Sequence, residues 1–145
     1  MAINLRPHHV ICSIGFVGHG YDAPFTANMV RLVMGTLRAP GGRDEAVLIT
    51  GQADTICAPC PHRDGLGCEF QAKIDGLDAR HAAALDLPPG TRITWGEALD
   101  RVRTRVAPDD LDRLCDGCRW LSDGTCKAAL TRLRDAGAGT SEDAA

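Results

Sequence analysis

The sequence predicts a mainly α (α+β) fold: a compact single domain of short helices with one small β element and two cysteine loops around metal sites. Three observations predict this class. The 145 residues suit one domain with a buried core. Apolar residues recur at helical spacing in several segments. Only residues 46–50 have the composition of a strand. We assign residues 1–135 to a single metal-binding domain and expect residues 136–145 to form a flexible tail.

Two helices are predicted before the strand. The first spans residues 7 to about 16 and has Pro7 in its first turn, where proline is tolerated. The second begins after Asp22, a residue type that caps helix N-termini, and runs to Arg38 before a Pro-Gly-Gly turn. Its apolar residues recur at helical spacing.

The strand at residues 46–50 is short and needs a partner, for which residues 92–94 are the best candidate. Directly after that partner, Thr94 and Glu97 have the spacing of a capping box, so a helix is expected to begin there. Its apolar residues again fall on one helical face.

Four further helical segments are predicted around the cysteine-rich parts of the chain. Two follow the first cysteine loop, at residues 69–74 and 78–85. A third begins at Pro108 and runs into Cys115, and the last spans residues 127–134.

Charge and hydropathy exclude several classes of protein. The net charge is −3, and the 16 basic residues are spread along the chain, so we expect no nucleic-acid partner. The most apolar stretch, residues 10–17, is too short to span a bilayer. The first residues lack the pattern of a secretory signal. We therefore expect a cytoplasmic protein without membrane association.

Seven cysteines are many for such a chain. Disulfides do not persist in the cytosol, so a metal or redox role is the better interpretation. Six of the cysteines form two motifs of identical spacing, Cys57-x2-Cys60-x7-Cys68 and Cys115-x2-Cys118-x7-Cys126.

The spacing of these motifs suits metal binding. A Cys-x2-Cys turn brings two sulfurs to one centre, and the following loop returns the third. We call residues 57–68 the first cysteine loop and residues 115–126 the second. Each third cysteine is expected to open a helix, where backbone N–H groups and the helix dipole stabilise a thiolate.

The spacing leaves the metal open between iron–sulfur and zinc. A single zinc site built from the two Cys-x2-Cys pairs would leave Cys68 and Cys126 unexplained. Two zinc sites with three cysteines and one histidine each are feasible. Iron–sulfur clusters also take three local cysteines and a remote fourth ligand, and Cys60-Pro61 resembles the Cys-Pro pair of bacterial ferredoxins. We favour one or two clusters, of the 4Fe-4S type, over zinc.

The first predicted helix offers the remote ligands. Cys12 lies four residues after His8 and three after His9, so it shares a helix face with either. Cys12 is the best candidate ligand and His9 the next, with His8 as the alternative histidine. Cys12 as a small core residue and the histidines as hydrogen-bonding groups remain the competing interpretation. His81 is expected to be a surface or packing residue.

Several motifs together resemble a bacterial and archaeal family of unknown function, numbered 1284, over about residues 5–130. They are Arg6-Pro7-His8-His9 with Cys12, residues 15–18 (GFVG), residues 56–62 (ICAPCPH), residues 94–97 (TWGE) and Cys115-x2-Cys118-x-Trp120. The resemblance implies an iron–sulfur protein in which the cysteines of both motifs are the ligands, and it implies no particular reaction.

Three functions follow as hypotheses. The first is electron transfer with a redox partner protein. The second is an enzyme in which a cluster held by three cysteines keeps one iron open to a small-molecule substrate. The third is a zinc-stabilised interaction module. Nothing in the sequence predicts the oligomeric state.

Overall fold

A three-stranded sheet ties the N-terminal segment to the middle of the chain in the computed structural model. The structure describes residues 3–18, 22–52, 54–57, 63–65, 67–68, 71–116 and 124–139. Strand β2 (Ala46–Ile49) is central. It pairs in parallel with β1 (Ile3–Leu5) and antiparallel with β5 (Arg92–Thr94). The predicted pairing of β2 with β5 is confirmed, whereas β1 was not predicted, because three residues carry no measurable periodicity.

Most of the described residues are helical, and the mainly α class is confirmed. Arg6 alone joins β1 to helix α1 (Pro7–Gly15), which begins with proline as predicted. Helix α1 packs against α3 and α6, and these contacts place it at the centre of the fold. The α-helices are α1 (Pro7–Gly15), α2 (Ala23–Met29), α3 (Gln71–Leu85), α4 (Trp95–Arg105), α5 (Leu111–Leu114) and α6 (Thr125–Gly139).

The C-terminal end of α1 is held by Arg38. Its Nη2 lies 3.0 Å from the carbonyl oxygen of Ser13, 2.9 Å from that of Ile14 and 2.8 Å from that of Phe16. These carbonyls lack partners within the helix, and a cation at a helix C-terminus also interacts favourably with the helix dipole. Arg38 therefore fixes the orientation of α1.

The second predicted helix forms, but its second half has a different backbone. Asp22 caps α2 by accepting a hydrogen bond from Phe25 N at 2.9 Å. The chain then continues as a π-helix over Val30–Leu37, in which Arg38 N donates to the carbonyl of Val33, five residues earlier, at 2.8 Å. The predicted end of the helix at Arg38 is confirmed. The sequence pattern does not reveal that its second half has the wider turns of a π-helix.

The prediction of separate helices at residues 69–74 and 78–85 is wrong, because α3 is continuous from Gln71 to Leu85. Gly76 lies inside it, and a glycine costs a helix about 1 kcal/mol relative to alanine without ending it. Asp78 and His81 lie on one buried face in the second half of this helix.

The C-terminal half follows the predicted order. Thr94 and Glu97 form the expected capping box at the start of α4, with Glu97 N donating to Thr94 Oγ1 at 3.2 Å. A 3₁₀ turn (Pro108–Asp110) leads into α5, which ends immediately before Cys115. Helix α6 continues to Gly139, past the predicted end at 134 and into the segment expected to be a tail.

Residues 140–145 lie outside the described part of the chain, and the division of the chain at residue 135 stays a prediction. Among the described helices, none combines the length and the apolar character that crossing a bilayer requires.

Candidate metal centre

A buried ion-pair network surrounds the N-terminal end of α1. Arg6 Nη1 donates to Asp78 Oδ2 at 2.9 Å, and His8 Nδ1 lies 2.6 Å from Asp78 Oδ1. Arg6 and His8 are buried, as is Asp78 on α3. Burial raises the pKa of Asp78, but His8 and Arg6 outweigh it and hold that pKa below its ordinary value. Asp78 is therefore a carboxylate that fixes α1 against α3.

A second carboxylate, Asp54, joins α1 to the start of the first cysteine loop. Its Oδ2 accepts from Arg6 N at 2.6 Å and lies 2.6 Å from His9 Nδ1. Its Oδ1 accepts from Cys57 N at 2.9 Å. One ligand atom from each of His9, Asp54 and Cys57 lies within 4.8 Å of the others, a spacing that suits a single metal ion.

Electrostatics at this cluster favour a cation. Burial raises the pKa of Asp54, but His9 and the N–H groups of Arg6 and Cys57 outweigh it and lower that pKa to about 2. Burial first, and the charge of Asp54 second, raise the pKa of the Cys57 thiol to about 12. In the chain alone Cys57 is a neutral thiol beside a carboxylate. A bound cation reverses that preference, because its charge stabilises both anions.

The hydrogen bonds of Asp54 also assign its role. Both of its oxygens already have hydrogen-bond partners within the chain. When His9 donates its Nδ1 hydrogen to Asp54, its Nε2 carries the lone pair that can bind metal. This carboxylate–histidine arrangement is common at metal sites. Asp54 can therefore orient His9, which leaves His9 Nε2 and Cys57 Sγ as the atoms that could bind a metal ion.

The rest of the first cysteine loop is only partly described. Cys68 lies in β4 (Gly67–Cys68), paired antiparallel with β3 (Arg63–Asp64). The expectation that Cys68 opens a helix is therefore wrong. The cysteine ends a small hairpin, and α3 begins three residues later at Gln71. Cys60 lies outside the described residues.

The second cysteine loop begins at a buried thiol. Cys115 follows α5, and its backbone N donates to the Leu111 carbonyl at 2.8 Å. Its Sγ lies 3.5 Å from Nε2 of His81, a residue on α3 with no exposed surface. Burial, and then the neighbouring His8, lower the pKa of His81 to about 3, so its ring is neutral. His81 is thus a buried partner of a motif cysteine, and the expectation of a surface or packing residue missed that contact.

The loop returns to α1 at Cys126. As predicted, this third cysteine lies in the first turn of a helix, here α6. A Cβ atom on Gly15 would lie 2.9 Å from Cys126 Cα and closer still to its Sγ. Gly15 therefore leaves the space that the thiol occupies. Cys12 lies three residues before Gly15, and helical side chains point toward the N-terminus, so Cys12 faces the same region.

Three imidazoles lie between the two cysteine loops. The ring centroids of His8 and His9 are 4.2 Å apart, and those of His8 and His81 are 6.1 Å apart in an edge-on arrangement. His9 contacts the first loop through Asp54, and His81 contacts the second through Cys115. His8 is the packed link between them.

Residues 20–124 match the family described as "Protein of unknown function (DUF1284)". The chain belongs to family DUF1284. The matched residues include both Cys-x2-Cys pairs and Cys68, whereas α1, with His9 and Cys12, precedes them and Cys126 follows them. No curated protein and no solved structure matches the chain.

Sequence reasoning about the DUF1284 chain found part of this arrangement. It singled out α1 as the remote element, and the structure brings His9 to Cys57 and the Cys12 face to Cys126. It missed Asp54, Asp78 and His81. Asp78 and His81 are three positions apart in the predicted helix at residues 78–85, so their shared face was visible in the sequence, but the contacts that this face makes with α1 and Cys115 were not. Cys118 lies outside the described residues.

Proposed function

We propose that this DUF1284 chain is an iron–sulfur protein with two inequivalent metal centres and a role in electron transfer. One observation carries the proposal: the single short helix α1 meets both cysteine loops. It presents His9 to Cys57 at one end and the face of Cys12 and Gly15 to Cys126 at the other. Each loop supplies three cysteines, and α1 supplies the missing fourth ligand to each.

In the first centre the proposed ligands are Cys57, Cys60, Cys68 and His9. Asp54 supports this set by orienting the imidazole and by accepting the Cys57 N–H, which fixes the start of the loop. Histidine in place of a fourth cysteine leaves less negative charge on the ligands and raises a cluster's reduction potential.

In the second centre the proposed ligands are Cys12, Cys115, Cys118 and Cys126. The described surroundings are mostly apolar: Cys115 belongs to the buried core with Leu111, Leu114 and Leu130, and Cys126 packs against that core, with His81 as the polar neighbour of Cys115. The burial of Cys115 and an all-thiolate ligand set favour a lower reduction potential than in the first centre.

When bound, an iron–sulfur cluster supplies one-electron redox chemistry. The chain's own contribution is to hold the two centres in fixed positions on a buried helix, which Arg6, Asp78 and Arg38 anchor at its ends. The proposed partner is a redox protein. A small-molecule substrate is the alternative if one centre lacks its fourth protein ligand.

Zinc is the second candidate, and one observation favours it at the first centre. His9 and Cys57 offer nitrogen and sulfur, which zinc accepts, and a zinc-bound histidine commonly donates its other ring hydrogen to a carboxylate, as His9 can to Asp54. Two sites of three cysteines and one histidine each would make the chain a zinc-stabilised module.

Metal analysis of protein made and purified without oxygen, with iron and zinc both supplied, separates these candidates. The proposal predicts a brown protein with iron and acid-labile sulfide in similar amounts. Colourless protein with stoichiometric zinc and no sulfide contradicts it and supports the zinc module. A chain in which all six motif cysteines are replaced by serine is the control for adventitious metal.

A further inference from the structure

We infer that His81 is a positioning residue of the second centre, which donates the hydrogen on its Nε2 to the sulfur of Cys115. The inference rests on the proposed function, because it concerns the same centre, and it assigns a role to a residue outside the motif. Three observations on the structure carry it.

The first observation is the contact itself. His81 Nε2 lies 3.5 Å from Cys115 Sγ, and both side chains are buried, so water does not compete for either atom. A buried sulfur that becomes a thiolate on metal binding gains most from an N–H donor at this distance, because the surrounding medium screens little charge.

The second observation concerns the other ring nitrogen. Nδ1 of His81 is buried and has no hydrogen-bond partner among the described residues. A hydrogen on Nδ1 would therefore be a buried donor without an acceptor, whereas a hydrogen on Nε2 faces the Cys115 sulfur beside the backbone of Leu114. The structure thus favours the Nε2–H form of the ring.

The third observation is the support behind His81. Asp78 lies three residues earlier on the same face of α3 and accepts hydrogen bonds from Arg6 and His8. The His8 ring meets His81 edge-on, with centroids 6.1 Å apart. Arg6, Asp78 and His8 form a buried chain that ends at the His81 ring, and this chain restricts its rotation.

A pair of buried amides tests the inference. His81→Gln can place its amide nitrogen near the position of Nε2, whereas His81→Asn ends near Nδ1 and does not reach the sulfur. Both variants bury the same polar group, so the folding cost is matched, and far-UV circular dichroism with thermal melts checks this. The probe is Co²⁺, titrated anaerobically into the metal-free chain in a background with Cys57→Ala, Cys60→Ala and Cys68→Ala, so that thiolate-to-cobalt absorbance reports the second loop.

We expect His81→Asn to weaken Co²⁺ binding about 10-fold to 100-fold, in line with the loss of a partner to a metal ligand, and His81→Gln to recover most of the affinity. The d–d bands should keep their positions in both variants. After iron–sulfur reconstitution, the Asn variant should have the lower reduction potential, because N–H donors to sulfur raise it.

Three results overturn the inference. Equal affinities for the Gln, Asn and unaltered chains remove any role for the Nε2 hydrogen. Equal weakening in both variants makes His81 a packing residue only. Displaced d–d bands in both make it a metal ligand. Absence of metal binding at the second loop is distinguishable, because the chain with His81 unaltered then shows no thiolate-to-cobalt absorbance. Failure of the iron–sulfur assignment is distinguishable by metal analysis, because the unaltered chain then holds zinc and no sulfide.

Discussion

The thiol of Cys126 occupies the space that a side chain on Gly15 would fill. The two residues belong to α6 and α1, and their contact brings the third cysteine of the second loop against the helix that carries Cys12 and His9. Glycine at position 15 is therefore a requirement of packing, since its backbone conformation is helical and open to any residue.

This contact gives the first prediction. Gly15→Ala should destabilise the protein by about 1–3 kcal/mol, because the new methyl group overlaps backbone as well as sulfur and α6 must move. It should also lower the metal content of the second centre. Thermal unfolding and metal analysis measure the two effects.

The matched control is Gly76→Ala in α3, where the nearest atom to a new Cβ is the end of the flexible Arg80 side chain, at 3.3 Å. That change should stabilise the protein by about 0.5–1 kcal/mol, the usual helix preference for alanine. If both substitutions stabilise equally, Cys126 does not pack on Gly15.

The second prediction concerns Asp78, which neutralises the buried Arg6. Asp78→Asn should cost about 3–5 kcal/mol, because it leaves a guanidinium buried without its counter-charge. Denaturant unfolding at neutral pH measures this loss. The control is Asp112→Asn, which breaks a largely exposed pair with Lys127 and should cost about 0–1 kcal/mol.

The same pair predicts a pH dependence. The folded chain holds the pKa of Asp78 below its ordinary value of 3.8, so the ionised form stabilises the fold. This stabilisation is fully present above pH 3.8 and is lost as the pH falls through the lower, folded-state pKa. The difference in stability between the unaltered chain and Asp78→Asn should therefore shrink in acid. If that difference in stability instead stays constant from pH 7 down to pH 2, the charge of Asp78 is not its source.

The third prediction separates orientation from ligation at the first centre. Asp54→Asn keeps the shape of the side chain but weakens its hold on His9 Nδ1. Metal affinity at the first centre should fall about 10-fold to 100-fold, while the second centre keeps its metal. Competition with a chelator, followed by metal counting, measures this. Complete loss of metal at the first centre would instead make Asp54 a ligand.

The sequence predicted the helical class, the β2–β5 pairing and the caps at Asp22 and Thr94, because these depend on local periodicity and on side-chain-to-backbone bonds a few residues apart. It could not predict what depends on long-range packing. Asp54 and Asp78 are ordinary acidic residues in the sequence. Only the fold places them against the start of α1, 45 to 72 positions away.

The candidate metal centre, like the fold, was predictable only where its signal is local in the sequence. Repeated cysteine spacing is a local signal, so the two loops and the helix carrying Cys12 and His9 stood out. Which residue of α1 meets which loop depends on how α1, α3 and α6 pack together. The contact of His81 with Cys115 was hidden for the same reason, since 34 positions separate them.

If α1 closes two different metal centres, one through His9 and the other through Cys12, removing each ligand should affect a different centre. Iron and sulfide counting with electron paramagnetic resonance, on oxygen-free Cys12→Ala and His9→Ala variants, measures this. Each variant should lose or alter one cluster signal and keep the other, and the two variants should affect different signals. Unchanged iron, sulfide and spectra in both variants would contradict this role of α1 and return Cys12 and His9 to packing and hydrogen bonding.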